Sequence, residues 1–305
     1  MIGQTNRAAA IARAMAGQRD LYAVLRAGSV GVDAADVDDL LTALHRALTG
    51  TPEAGRLAGV DQAFLRAVIR AGAGLYPVAG ASGLGDHLAS LPVHPVFLPE
   101  ISASRHVALP TQGQRADMPS FSDRAFDGWF AATGARYGLG LYGEKRIVYT
   151  AAQFADPMSE ERRMVHLGVD VFADAGTPVH APLDGRVLAV TYNADPLDYG
   201  HTLILQHDGF CTLYGHLGAS LPGLVRVGQK VQAGQVVAHL GDWHENGGWA
   251  AHLHFQIIAN MMEQTGGNFW GVGHESLWDV WTAISPDANL LLRLPPAAFT
   301  VGQSS

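Results

Sequence analysis

The period of the apolar positions changes about midway along the chain. In "DAADVDDLLTALHRALTG", Val37, Leu40, Leu41, Leu44 and Leu48 recur at i, i+3, i+4, i+7 and i+11. That spacing predicts an amphipathic helix, with Gly50 and Pro52 as its stop. "VDQAFLRAVIRAG" predicts a second helix, capped by Asp61, burying Phe64, Leu65, Val68 and Ile69 and ending at Gly72. His45 lies beside the first apolar stripe and reads as structural. With the alanine-rich start, residues 1–72 form a helical region. From 73 to 144, Gly, Pro and Ser interrupt every period, which predicts a linker of irregular chain. A short helix, capped by Ser122, is expected in "SDRAFDGWFAATGARYG".

Beyond about residue 145 the period falls to two. "RIVYTA", "GRVLAVTYN", "HTLILQH", "FCTLYGHL" and "QVVAHLG" are short β-branched or aromatic runs separated by turn residues. Asp184–Gly185 marks a tight turn, and "VRVGQKVQAGQVV" repeats a Val-x-x-Gly-Gln-x-Val unit that predicts two successive β-turns. Those turns also suggest a biotinyl or lipoyl carrier, but the swinging lysine of such a hairpin is missing. Residues 145–262 therefore predict an antiparallel, barrel-like sheet domain, and 263–305 an extension packing on it. The fold class is α+β.

Composition narrows the function. A hydrophobic content of 48% against 16% charged residues suits a chain with a sizeable core. The net charge of −8 argues against nucleic acid and gives no attraction to an anionic membrane surface. Cys211 is the only cysteine, so neither an intrachain disulfide nor a cysteine-based zinc site is available. The opening residues carry Arg7, Arg13 and Arg19 where a secretory signal needs an apolar run, so the expected location is cytoplasmic. The sequence leaves the oligomeric state open.

Ten of the fourteen histidines fall between 166 and 274, so histidine chemistry belongs to the β half. In "GGWAAHLHFQII" a strand would turn Leu253, Phe255 and Ile257 into a core and His252, His254 and Gln256 onto the other face. "VHLGVD" offers His166 and Asp170. Four residues apart on a straight strand is about 13 Å, too far to share one ion, so the chain must bend, and Gly168 would allow it. His216 ends the strand "CTLYGHL". Two histidines and one aspartate for a metal, with two histidines to spare, suit a catalytic zinc with an open position.

These residues fall in three motifs, "HLGVD", "YGHL" and "HLHF", in that order. The chain thus resembles the lysostaphin/LytM-type zinc metallopeptidases over roughly residues 145–260. The resemblance implies zinc held by His166, Asp170 and His254, with His216 and His252 acting on substrate and water. It also implies a cleft that upstream chain can occupy, and His87, His94 or His106 are candidates for the open metal position. The stretch "GDWHENGGWAAHLHF" replaces a short Ser/Thr/Gly turn usual in secreted members. It is closer to intracellular relatives fused with kinase-like and aminotransferase domains.

Trp243, His244, Glu245, Asn246 and Trp249 in that loop, with Tyr199 bordering the cleft, predict a compact pocket for a small polar substrate. The leading expectation is a zinc hydrolase cleaving an amide or peptide bond in a small or non-wall substrate. The alternatives are a peptidoglycan endopeptidase, a non-haem iron oxygenase with the same two-His-one-carboxylate set, and a catalytically silent binding or scaffold protein.

Overall fold

Helices of the first half follow their sequence signals closely. In a computed structural model that describes residues 2–112, 117–147 and 154–301, α1 spans Ile2–Met15, α2 Leu21–Gly28, α3 Val37–Leu48, α4 Pro52–Ala58 and α5 Gln62–Gly72. Val37, Leu40, Leu41, Leu44 and Leu48 are buried along α3. Asp61 caps α5 by accepting from the Phe64 amide at 3.0 Å. No helix among the described residues is long and apolar enough to cross a membrane.

Residues 73–144 depart from the expected linker. They form α6 (Leu84–Ser90), β1 (His106–Ala108), α7 (Ala125–Thr133) and β2 (Tyr137–Gly140). Both strands join the main sheet, so the sheet domain begins well before residue 145. The glycines of "YGLG" conceal β2, yet a Cβ at Gly138 would strike Leu109 and Phe130. Helix α7 is not capped by Ser122. Asp123 accepts from the Ala125 amide instead.

The remaining strands are β3 (Val165–His166), β4 (Val169–Phe172), β5 (Pro178–His180), β6 (Gly185–Asn193), β7 (Gly200–Gln206), β8 (Cys211–Leu217), β9 (Lys230–Val231), β10 (Val236–His239), β11 (His252–Ile258) and β12 (Val272–Gly273). Helical turns α8 (Leu221–Leu224), α9 (Trp278–Ile284) and α10 (Asn289–Leu292) complete the fold. The main sheet runs β1-β2-β4-β11-β8-β7-β6-β9, antiparallel except for the parallel pair β1–β2. The strand expected at 146–151 lies mostly outside the described residues. Both repeat turns form: the Gln229 and Gln235 amides bond back to Arg226 and Gln232, and their side chains accept from the same residues.

Two cores flank the sheet. Leu253, Phe255 and Ile257 of β11 join Val169, Val171 and Tyr214 in one. Ile258, Leu213, Cys211 and Ile204 on the opposite face share the other with α1–α5, Phe269 and Trp281. The helical region is therefore continuous with the sheet rather than separate from it. Phe64 makes the joint, its ring 4.6 Å from Trp281 and 5.7 Å from both Trp270 and Tyr22. Phe64→Ala should lower stability by about 3–5 kcal/mol. Circular dichroism and tryptophan fluorescence should report one shared denaturant transition; a separate early transition for the helices would contradict the common core.

Candidate metal centre

Strand β11 lies between β4 and β8, and its register sets His254 directly across from Asp170 on one side and Gly215 on the other. The alternation read from the sequence holds, and His252, His254 and Gln256 share the face away from Leu253, Phe255 and Ile257. His166 arrives from β3, which stops two residues short of β4. That break brings His166 Nε2 to 3.2 Å from Asp170 Oδ1, as the expected bend requires. Gly168 is essential for a different reason from the one anticipated. It is not among the left-handed glycines, but a Cβ there would lie 2.6 Å from His254 Cε1 and 2.8 Å from the Phe255 carbonyl.

Hydrogen bonds assign the tautomers of the imidazoles. His166 Nδ1 donates to the Leu141 carbonyl at 2.9 Å, leaving the lone pair on Nε2. His254 Nε2 donates to Gln256 Oε1 at 2.9 Å, leaving the lone pair on Nδ1. Gln256 is itself fixed, its amide donating to the Trp270 carbonyl and Ser285 Oγ. The two proton-free nitrogens face each other at 2.9 Å, and Asp170 Oδ1 stands 3.1 Å from His254 Nδ1. Three electron-pair donors packed together in a buried site, with no proton between them, fit a cation. Nitrogen and carboxylate oxygen donors are those that zinc accepts, at about 2.0–2.2 Å.

His216 and His252 have the same kind of arrangement. Their Nδ1 atoms donate to the carbonyls of Asn246 and Ala250, each at 2.7 Å, and the proton-free Nε2 remains. The two rings lie 4.2 Å apart. His216 reaches this face through an irregularity in β8. Two steps along β7, from His201 to Leu203, match three along β8, from Leu217 to Tyr214. The extra residue forms a bulge, and His216 takes a left-handed φ of 64°.

Burial holds His166 down at about 4, with the Arg146 charge adding to the effect. It also depresses His216, next to His252, and His252 itself. These rings are neutral at pH 7 and can accept protons. Burial alone would raise the Asp170 carboxyl, but the Arg146 guanidinium bonded to it favours the carboxylate, and the group is held well below its usual range.

The five site residues form one wall of a cavity of about 470 Å³. Upstream chain supplies another, through Met118–Phe121 and Arg146, and the 268–272 segment a third. The upstream histidines take no part: His87 packs on Phe210, His94 on His180, and His106 Nδ1 bonds to the Ser104 carbonyl. Tyr199 and Trp249 line the cavity as expected, with the Tyr199 hydroxyl 3.5 Å from His254 Nε2.

Four residues of the expected substrate loop do not line it. Trp243 Nε1 donates to Asp127 Oδ2 at 2.8 Å and the ring lies under Arg124. Glu245 accepts from the amides of Ala219 and Asp242. His244 is exposed. Asn246 ties Gly241 to Trp249 and offers its carbonyl to His216. Apart from Trp249, the loop positions a histidine rather than forming the cavity. Arg146, bonded to Asp170, was not foreseen: nothing in "GEKRIV" marks an arginine 24 residues ahead of its partner.

Residues 164–265 match the model for peptidase family M23. An uncharacterized metalloprotease of Haemophilus influenzae is 35% identical over 117 residues, 36% of this chain and 23% of that protein. The glycyl-glycine endopeptidase ALE-1 of Staphylococcus capitis is 35% identical over 101 residues, 31% of this chain and 25% of its own length. The peptidoglycan DD-endopeptidase ShyC of Vibrio cholerae is 33% identical over 95 residues, 31% and 20% of the two chains. The chain thus spans a quarter or less of each of these relatives. A solved structure, the catalytic domain of lysostaphin from Staphylococcus simulans, aligns with 50% of this chain and 96% of its own at 23% identity, with a TM-score of 0.31. The 164–265 segment belongs to peptidase family M23, the lysostaphin/LytM-type metallopeptidases.

The space requirement at Gly168 gives a sharp test. Gly168→Ala should push His254 off its position and reduce metal affinity at least about tenfold, read by competition with a chromophoric chelator. Unchanged affinity would show that the strand break tolerates a side chain.

Proposed function

We propose that the chain is a zinc-dependent peptidase in which His166, Asp170 and His254 hold the metal and His216 and His252 move protons. The observation that carries this reading is the convergence of buried, proton-free donor atoms of His166, Asp170 and His254 on one point beside two further proton-free imidazoles. Bound zinc would supply Lewis acidity and lower the pKa of water at its open position.

The rest of the chemistry belongs to side chains. Water adds to the amide carbonyl as one neutral imidazole takes its proton. The C–N bond then breaks as an imidazolium returns a proton to the departing amine. Carbonyl acceptors at Asn246 and Ala250 keep both Nε2 atoms on the cavity side and stabilise each ring when it becomes charged.

Peptides of the peptidoglycan type are the proposed substrate class. Support comes from the relatives whose names state cleavage of glycyl-glycine or peptidoglycan bonds. It comes also from the loop residues Trp243, His244, Glu245 and Asn246, which do not line the cavity and so weaken the basis for a small-substrate pocket built by this loop. A wall substrate would place the protein outside the cytoplasm, contrary to the cytoplasmic expectation. The iron oxygenase reading explains the facial donor set but gives no role to the additional histidine pair.

His252→Ala and His216→Asn should keep near-stoichiometric zinc and lose about 100- to 10,000-fold in turnover on soluble muropeptides. Asparagine is chosen at 216 because it tolerates the left-handed backbone there. Normal turnover in either variant would remove that histidine from the mechanism. Iron in protein purified without added metal, with oxygen consumption, would favour the oxygenase. Release of small amides without any attack on wall peptides would overturn the substrate class.

A further inference from the structure

Asp170 is held by a side chain from outside the M23 segment. Arg146 Nη1 donates to Asp170 Oδ2 at 2.7 Å, while Oδ1 is the oxygen that faces His166 and His254. On its other side Arg146 Nε donates to Glu144 Oε2 at 3.1 Å, and Glu144 Oε1 accepts from the Thr111 amide at 2.6 Å. All three charged side chains are nearly inaccessible, at 4% for Arg146, 9% for Glu144 and 2% for Asp170.

The placement is built into the backbone. Residues 143–146 run antiparallel to 164–166: the Gly143 amide bonds to the His166 carbonyl, that of His166 to Glu144, and that of Arg146 to Met164. Arg146 is thereby indexed to a metal-site histidine rather than left to find the carboxylate by rotamer choice. The neighbours leave room for it. A Cβ on Gly140 would lie 2.9 Å from Arg146 Nη2 and 3.1 Å from Asp170 Oδ2. The Phe121 ring covers the guanidinium at 5.6 Å.

Buried ion pairs contribute little net stability, because desolvation offsets the attraction. A carboxylate has two oxygens, and one left unrestrained can close on an ion with both. That would consume a coordination position needed for water and the substrate carbonyl. Resting on the metal-site reading above, we propose that Arg146 is a positioning residue that keeps Asp170 monodentate. It occupies Oδ2, leaves Oδ1 for the metal and so preserves an open position. Its charge also draws electron density from the carboxylate, leaving the metal more electrophilic.

Cobalt substitution reads coordination directly, since four-coordinate Co(II) absorbs visible light more strongly than five-coordinate Co(II). Parent protein, Arg146→Met and Arg146→Lys should be loaded with cobalt and compared, with folding checked by circular dichroism. The parent should show the four-coordinate spectrum and Arg146→Met a roughly twofold or greater loss of intensity. On zinc, kcat of Arg146→Met should fall about 10- to 100-fold, with KM changing less. Arg146→Lys, which keeps the charge and a donor, should recover the parental spectrum and most of kcat. A parental spectrum in Arg146→Met would overturn the proposal. A crystal structure of the zinc-loaded parent needs no variant, and both Asp170 oxygens on the ion would overturn it equally. Failure of the parent to bind either metal would instead overturn the metal-site reading itself.

Discussion

The pairing of β4 with β11 governs the whole site. In the observed register His254 faces Asp170, and Leu253 and Phe255 pair with Val171 and Val169 over one core. Because side chains alternate with a period of two, a slip of β11 by one residue would carry His254 into the hydrocarbon and turn Leu253 and Phe255 out of their core. The apolar half of each strand thus fixes the position of the polar half. Hydrophobic burial supplies the energy, and the donor geometry follows from it.

Register alone brings the groups together; hydrogen bonds outside the site determine what they can do. Each of four histidines spends its single N–H on an acceptor pointing away from the centre: the carbonyls of Leu141, Asn246 and Ala250 and the amide oxygen of Gln256. The lone pairs are therefore committed inward before any ligand arrives. Rotating one ring would bury an unsatisfied N–H, which costs about 1–3 kcal/mol. Burial adds to this by keeping His166, His216 and His252 neutral. The site is preorganised by three backbone carbonyls and one fixed side-chain amide, whose positions the sheet and its loops determine.

Local patterns made part of this legible in the sequence. The alternation around "HLHF" assigns the two faces of β11, and the stripes of α3 and α5 locate buried residues almost one for one. The features that escaped depend on contacts between distant segments. Strands β1 and β2 are short and β2 is half glycine, and they are strands only because β4 offers an edge to β2, which in turn pairs with β1. His216 needs a bulge whose register depends on β7. Asn246 has the composition of a ligand-binding loop residue, yet its side chain is consumed within the loop. Arg146 pairs with Asp170 because residues 143–146 align with 164–166, and no spacing rule in the chain encodes that alignment.

The boundaries of the family segment are consequently not the boundaries of the working site. Residues 164–265 contain all five principal side chains, but several groups that orient them lie outside. Leu141 fixes the tautomer of His166, and Arg146 takes the second oxygen of Asp170. Trp270 and Ser285 hold the amide of Gln256 so that its oxygen can accept from His254. The same outer segments form two of the cavity walls, through Ser120 and Phe121 on one side and Phe269 to Val272 on the other. Donor orientation and cleft shape are therefore physically linked. A change in an outer segment that reshapes the cleft also moves the supports of the proposed metal ligands, so under the proposed function specificity and metal chemistry are coupled through these segments.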